Sequence, residues 1–530
     1  MTHKQVIIVG GGPAGLAAAL RLWEKGVKDI LILEREHFLG GILRQCIHDG
    51  FGLTRFGESL SGPEYAQRFI DQVIETGIET ITDCTVLDVS GDKIVTAASR
   101  ERGLLQFQAD AVLLTMGCRE RTRGALAIPG QRPAGVYTAG VAQNYINLQN
   151  IMVGHEVVIL GSGDIGLIMA RRMTLEGAHV KGVYEVQPYP SGLPRNIEQC
   201  LNDYHIPLHL SHTVVDIRGR ERLSSVVVMQ CDENFRPIPG TEEEIPCDTL
   251  ILSVGLIPEN ELSLAAGVEL DPRTRGAFVD ENCQTQVPGI FAAGNVLHVH
   301  DLVDFVSLEA EALADSAAEY LLAGSLPACP LAVAAGANVG HVIPQRISAA
   351  RDFTLSLRVR KPMQNVSIVV RQGGTEILRK KMRKALPAEM IQLPIKAEKL
   401  IASADMEVCG MKRTFTCIVC PNGCEIEAEY EGVKVLSIEG NLCPKGKTYV
   451  TQELEDPRRT IATSVRVSGG VLPLASVRLT QAIPKNRIFD AMNVINEQTL
   501  TAPVRIGDVV VPHLLGYDCD VIVTKNVDKA

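Results

Sequence analysis

Four cysteines, Cys417, Cys420, Cys424 and Cys443, fall within one short segment of a 530-residue chain, at the spacing C-x2-C-x3-C-x18-C. Between the second and third, Pro421-Asn422-Gly423 favours tight turns that draw thiols together. Four thiolates in such an array suit either tetrahedral zinc or an iron-sulfur cube. Structural zinc commonly uses two separated C-x-x-C knuckles. Here one knuckle is extended by a third cysteine, as in a ligand set that wraps one corner of a [4Fe-4S] cluster, so the cluster is favoured over zinc. Cys409, a little upstream, reads as an ordinary buried thiol.

A second constellation occurs twice. Gly10, Gly12 and Gly15 follow the apolar run 6–9, and a further run, 30–33, leads to Glu34, which lies 24 residues after Gly10. In this pattern the first glycine makes a tight turn, the second lets the backbone approach a pyrophosphate, and the third lets helix and strand pack closely. The helix that begins there offers free N–H groups to phosphates, and the acid accepts ribose hydroxyls. Gly161, Gly163 and Gly166 repeat the arrangement, with Glu185 again 24 residues after the first glycine. An acid at this strand end repels a 2'-phosphate, and no Arg or Lys follows closely, so the second site is expected to prefer NAD(H) to NADP(H).

The elements needed to hold these residues are strand, helix, strand in each copy, which predicts an α/β fold with two Rossmann-like domains. From about residue 333 the pattern changes to short alternating runs separated by Pro and Gly, which predicts a small β-sandwich acting as a spacer or docking module. The last stretch is expected to form an α+β domain around the four cysteines.

Residues 109–122 (ADAVLLTMGCRERT), 247–260 (CDTLILSVGLIPEN) and 285–301 (TQVPGIFAAGNVLHVHD) complete a pattern. With the two glycine fingerprints, residues 4–325 resemble flavoproteins with two dinucleotide-binding domains, the glutathione-reductase-like pyridine nucleotide oxidoreductases. The resemblance implies FAD at Gly10, Gly12, Pro13, Ala14, Gly15, Glu34, Gly41, Gly117, Gly294 and Asn295. It implies NAD at Gly161, Gly163, Asp164, Ile165, Gly166 and Glu185. Asn295 departs from the usual Asp, which replaces a carboxylate contact with an amide. The implied boundaries are 1–118 and 255–330 for the FAD domain, 119–254 for the inserted NAD domain, 331–411 for the β-rich domain and 412–530 for the iron-sulfur domain.

Disulfide reductases of that family carry a C-x-x-x-x-C pair after the first acid. Here Cys46 has Gly41 and Phe51 five residues to either side, so a dithiol relay is not expected. The stretch is closer to a subgroup that works beside a second flavin dehydrogenase, in amino-acid-derived cyanide synthases, opine oxidases and glycerol-3-phosphate dehydrogenase systems. Cys46 and His48 are candidates for flavin tuning or proton transfer. His298 and His300 are candidates for proton handling, with Asp301 expected to cap the following helix. The cysteine segment resembles the iron-sulfur domain that opens molybdopterin oxidoreductases, down to GNLCPKG, and a small domain associated with glycerol-3-phosphate dehydrogenases.

Composition narrows the classes further. At 46% hydrophobic and 22% charged the chain reads as globular, with no apolar run near the roughly 20 residues of a membrane span and no signal-peptide pattern, so a cytoplasmic location is expected. In that compartment 14 cysteines do not form a disulfide framework, which again points to metal. The net charge of -10 hides a basic excess in residues 346–413, yet aromatics are only 4%, too few for a nucleic-acid platform; a solvated basic face is favoured. The resulting expectation is an NAD(H)-, FAD- and [4Fe-4S]-dependent electron-transfer subunit serving a partner dehydrogenase. The alternative is a self-sufficient NADH oxidase or diaphorase with a structural metal in its tail.

Overall fold

The computed structural model describes residues 1–411, 413–420, 422–431 and 434–530, so the expected turn at Pro421 lies outside the described residues. The chain forms two compact units, Met1–Gly410 and Met411–Ala530.

In the first unit, Thr2–Val9 is the central strand of a sheet, paired in parallel with Ile30–Leu33 on one side and Gly103–Leu114 on the other. Its Val6, Ile7 and Ile8 are wholly buried. That is the signature of a parallel strand covered on both faces, and it is why the sequence there is a continuous apolar run. Glu79–Ile81 and Ile290–Ala292 extend the parallel region. The antiparallel strands Ile94–Ser99 and Cys84–Val89 complete the sheet.

The helix Pro13–Glu24 crosses back over this sheet and meets the long helix Val303–Ala323. Both present small side chains at the contact, Ala17 and Ala18 from one and Ala310, Ala314 and Ala317 from the other, which allows a close approach. Beside them the wholly buried Tyr65 donates its hydroxyl proton to Ser307 Oγ at 2.8 Å. Tyr65→Phe should therefore cost about 1 kcal/mol, read as a lower midpoint of the first unfolding transition in urea.

The inserted domain has a five-stranded, wholly parallel sheet in the order Val136–Thr138, Thr249–Leu252, Glu156–Leu160, His179–Glu185, Leu208–Leu210. A three-stranded antiparallel sheet, His212–Arg218, Ser225–Gln230 and Glu243–Pro246, shares a core with it through Val158, Leu250, Ile217 and Val226. The two chain crossings into and out of this domain pair with each other, Cys118–Glu120 against Leu256–Pro258, as an antiparallel ribbon.

Residues 331–410 form two facing sheets, of five and three strands, around Val333, Leu355, Leu357, Ile368 and Leu393. Part of the basic excess seen in sequence falls on the strand Thr375–Ala385, where Lys380, Lys381, Arg383 and Lys384 are exposed, a solvated face.

In the second unit, a three-stranded sheet of Arg413–Thr416, Glu425–Glu431 and Lys434–Glu439 packs with the helix Pro444–Glu455 around Phe415, Ile426, Ala428 and Val450. A five-stranded sheet with the helix Ile488–Asn496 forms its other core. Among the described residues, no helix is long and apolar enough to cross a membrane.

Candidate functional site

Each glycine of the first fingerprint has a steric reason. Gly10 sits at φ +108°, and a Cβ there would lie 2.7 Å from the carbonyl oxygen of Thr115. A Cβ on Gly15 would lie 1.9 Å from the Gly10 oxygen, so helix and turn can meet only without a side chain. A Cβ on Gly12 would meet nothing nearer than Gly41 Cα at 3.9 Å. The space above the helix start is thus open to a ligand, and no side chain caps that helix. Pro13 removes one N–H, and Leu16 N–H is spent on Gly12 O, so Ala14 and Gly15 supply the free donors. Gly41, at φ +55°, faces Gly12 across the opening, and Gly294 closes against Ala14, its own Cβ position 3.1 Å from the Ala14 Cβ. Gly117, at φ +75°, borders open space. The arrangement fits a dinucleotide phosphate bridge.

The second fingerprint repeats the logic with other neighbours. A Cβ on Gly161, φ +95°, would stand 2.1 Å from Ser253 O, and one on Gly166 would stand 2.5 Å from Ser253 Cβ. Gly163 is the residue before the helix Asp164–Leu175.

The two acids are tied down in the same way. Glu34 is buried and accepts from Gly11 N–H at 2.7 Å and Glu36 N–H at 2.8 Å. Glu185 accepts from Ser162 N–H at 2.9 Å and Gln187 N–H at 3.0 Å, then also from the hydroxyls of Ser162 and Ser191 at 2.6 and 2.9 Å. Asp164, in the first turn of the second helix, accepts from Leu193 N–H at 2.8 Å and Asn196 Nδ2 at 2.7 Å. Segment 187–196 is thereby strapped against the second cradle. Ser162, Ser191, Ser253 and this strap escaped the sequence reading; the polar Ser-Gly-Asp inside the second fingerprint was the available signal.

Both cradles open on one cleft of about 1700 Å³, lined by Gly12, Glu34, Gly163 and Ile165 among others. Cys46 and His48 also line it. The Cys46 thiol points at Ile42 O, 3.3 Å away, and burial pushes its pKa up to about 12, which keeps it a neutral thiol rather than a nucleophile. Among the described residues no cysteine is disulfide-bonded.

For His48, burial and then the nearby Arg195 charge lower the pKa from 6.5 to about 4, and its Nδ1 is buried without a partner. The folded protein thus takes up this proton less readily than the unfolded chain. Its stabilising contribution is complete above pH 6.5 and is lost as pH falls from there toward 4. The full difference is on the order of 3 kcal/mol. His48→Gln should therefore lose less Tm between neutral and mildly acidic buffer than the parent.

Asp301 does not cap the long helix. Leu302 occupies the cap position, and Asp301 accepts instead from Arg358 at 3.4 Å and from Met390 N–H at 3.3 Å. A cap requires the acid to reach its own first turn, and here two strand-module groups reach it first. Arg358 also donates to Val299 O at 3.1 Å. The β-module is accordingly more than a spacer, because His341, Arg358 and Arg360 line the same cleft.

Within that wall, Glu309 Oε2 accepts from Gly294 N–H at 2.7 Å, and its Oε1 lies 2.7 Å from His298 Nε2 and 3.5 Å from His300 Nε2. Burial opposes the Glu309 charge, yet the two imidazoles outweigh it and hold the carboxyl below its usual range. Asn295, which stands where the family pattern has Asp, spends its amide oxygen on His300, accepting from the backbone N–H at 2.9 Å and facing Nδ1 at 3.3 Å.

In the second unit, Cys417 is buried, Cys424 half-buried, and Cys420 and Cys443 exposed. Cys417 N–H donates to Cys424 O at 2.8 Å, and Cys443 precedes the helix Pro444–Glu455. The soft donor set suits zinc or iron-sulfur. The group of three donors that gathers within 4.8 Å among the described residues is nevertheless His298, His300 and Glu309, and the four cysteines form no such group.

Comparison with known proteins bears on the first unit most strongly. Residues 444–525 match a family described as a protein of unknown function. The chain is 29% identical over 287 residues to the hydrogen cyanide synthase subunit HcnB of Pseudomonas protegens, covering 50% of this chain and 59% of that protein. It is 27% identical over 364 residues to the glutamate synthase [NADPH] small chain of Mycobacterium tuberculosis, covering 62% and 69%. The chain thus spans well under the full length of these relatives. Thioredoxin reductase of T. acidophilum superposes with a TM-score of 0.50 at 22% identity, covering 61% of this chain and all of that one, a likeness of fold. Residues 4–318 match the profile of the pyridine nucleotide-disulphide oxidoreductases, and with the two cradles just described this chain belongs to that family of FAD-dependent NAD(P)H oxidoreductases.

Proposed function

We propose that the chain is an NADH-linked electron-transfer subunit. FAD is held by the first cradle (Gly10, Gly12, Pro13, Ala14, Gly15, Glu34, Gly41, Gly117, Gly294 and Asn295), and NAD(H) by the second (Gly161, Gly163, Asp164, Ile165, Gly166 and Glu185). A [4Fe-4S] cluster is held by Cys417, Cys420, Cys424 and Cys443. When bound, the flavin supplies the exchange between two-electron hydride chemistry and single electrons. The protein's own part is to orient both nucleotides in one cleft and to keep Cys46 protonated and unreactive.

The observation that carries this reading is the opening of both cradles onto a single cleft. The cysteine spacing supports the cluster, and two relatives named as a subunit and a small chain support a partner. That partner is a flavin dehydrogenase, for which glycerol-3-phosphate or a related 2-hydroxy acid is the favoured substrate. Glu185 favours NADH over NADPH through repulsion of a 2'-phosphate.

Anaerobic titration of the purified protein with NADH tests the core of the reading: flavin absorbance should bleach, and at lower concentration than with NADPH. Iron and acid-labile sulfide should be present near four of each per chain if a cubane is held. Zinc without iron would end the cluster assignment.

A second reading is favoured by the family match lying wholly within the first unit. On that reading the chain is a self-sufficient NADH oxidase or diaphorase and the tail is structural. Deleting residues 411–530 discriminates, because an oxidase keeps its oxygen consumption while an electron-transfer subunit loses turnover with its partner.

A further inference from the structure

The His298, His300 and Glu309 group adjoins the Gly294–Asn295 turn of the first cradle, and three features of it point to a cation. The first is spacing. Ligand atoms on one ion at bonds of about 2.0–2.2 Å stand roughly 2.8–3.6 Å apart in octahedral or tetrahedral geometry. The three donor atoms lie within 4.8 Å of one another: Glu309 Oε1 stands 3.5 Å from His300 Nε2 and 2.7 Å from His298 Nε2, a hydrogen bond that opens by a few tenths of an ångström when an ion replaces the proton.

The second is ring orientation. His300 Nδ1 faces the Asn295 amide oxygen at 3.3 Å, and Nε2 lies 3.5 Å from Glu309 Oε1. With a cation bound, Nδ1 donates to the amide oxygen and the Nε2 lone pair is turned to the side that the carboxylate shares.

The third is outer support. Asn295 fixes His300 through its far nitrogen, and Gly294 N–H fixes the other Glu309 oxygen. This is the second layer that orients ligands around a bound metal.

We propose that His298 Nε2, His300 Nε2 and Glu309 Oε1 form a binding site for a divalent ion of the Zn2+ or Fe2+ class, the ions that two imidazoles and one carboxylate select. Both imidazoles line the cleft, so the ion is reachable from it.

The test uses full-length flavoprotein, chelated and then dialysed against Zn2+. X-ray absorption of the loaded protein should show imidazole nitrogen and carboxylate oxygen at about 2.0–2.1 Å, whatever sulfur is also present. His300→Ala and Glu309→Gln should each lower bound zinc by one equivalent per chain, with far-UV circular dichroism read in parallel as the control for folding. A zinc shell without imidazole overturns the proposal, as does unchanged stoichiometry in both variants. If both variants fail to fold, the spectrum of the parent protein decides alone. The outcome is independent of what the four cysteines hold.

Discussion

Gly15→Ala is expected to give a protein that purifies without its yellow colour. The added methyl would sit 1.9 Å from Gly10 O, less than any non-bonded contact tolerates, and that carbonyl is itself pinned by Thr115 Oγ1 at 3.0 Å. The helix must therefore back away from the turn, carrying the free Ala14 and Gly15 N–H groups out of aim. Loss of two charge-assisted hydrogen bonds to phosphate amounts to roughly 3–6 kcal/mol, so flavin retention should fall at least about a hundredfold. Gly26→Ala is the control. Its φ of +92° makes alanine strained, but its Cβ would meet nothing within 4 Å, so it should cost stability and leave flavin in place. Visible absorbance against protein concentration distinguishes the two.

Gly161→Ala should have the complementary effect. Its Cβ would lie 2.1 Å from Ser253 O at φ +95°, so the second turn cannot close. The insert has its own sheet and core, so the first cradle stays intact and the protein should remain yellow. Stopped-flow mixing with NADH should then show flavin reduction slowed by two orders of magnitude or more, about 2.7 kcal/mol in the barrier including binding. Dithionite should still bleach the flavin at once. A colourless Gly161→Ala protein, or one reduced by NADH at the parent rate, would contradict the assignment of the two cradles.

The turns and helices of the two cradles were legible in the sequence because their determinants are local. Each glycine, the helix it starts and the acid ending the next strand lie within 25 residues, and the strands between them announce themselves as unbroken apolar runs. What was hidden is long-range. Asp301 looks like a cap when read beside its own helix, but its partner Arg358 is 57 residues away on a different module. The β-sandwich shows no chemistry in its alternation, and it acquires a role by placing His341 and Arg358 on a wall built mainly by other segments. Glu309 lies on the helix Val303–Ala323, and nothing in the local sequence says that it turns back to His298 and Gly294. The strap at 187–196 escaped for a similar reason: Ser191 and Leu193 contact residues 29 positions earlier, across a whole strand and helix.

The carboxylate that ends the second strand has one further implication. Glu185 holds Ser162, Ser191 and Gln187 in place. On the proposed assignment of NAD(H) to the second cradle, coenzyme choice and local architecture are fused in this single side chain. An evolutionary or engineered shift to the phosphorylated coenzyme cannot simply trade this acid for a small or basic residue, because four donors would lose their acceptor together. Such a shift would have to rebuild the strap first, which makes the proposed preference for the unphosphorylated form hard to reverse one residue at a time.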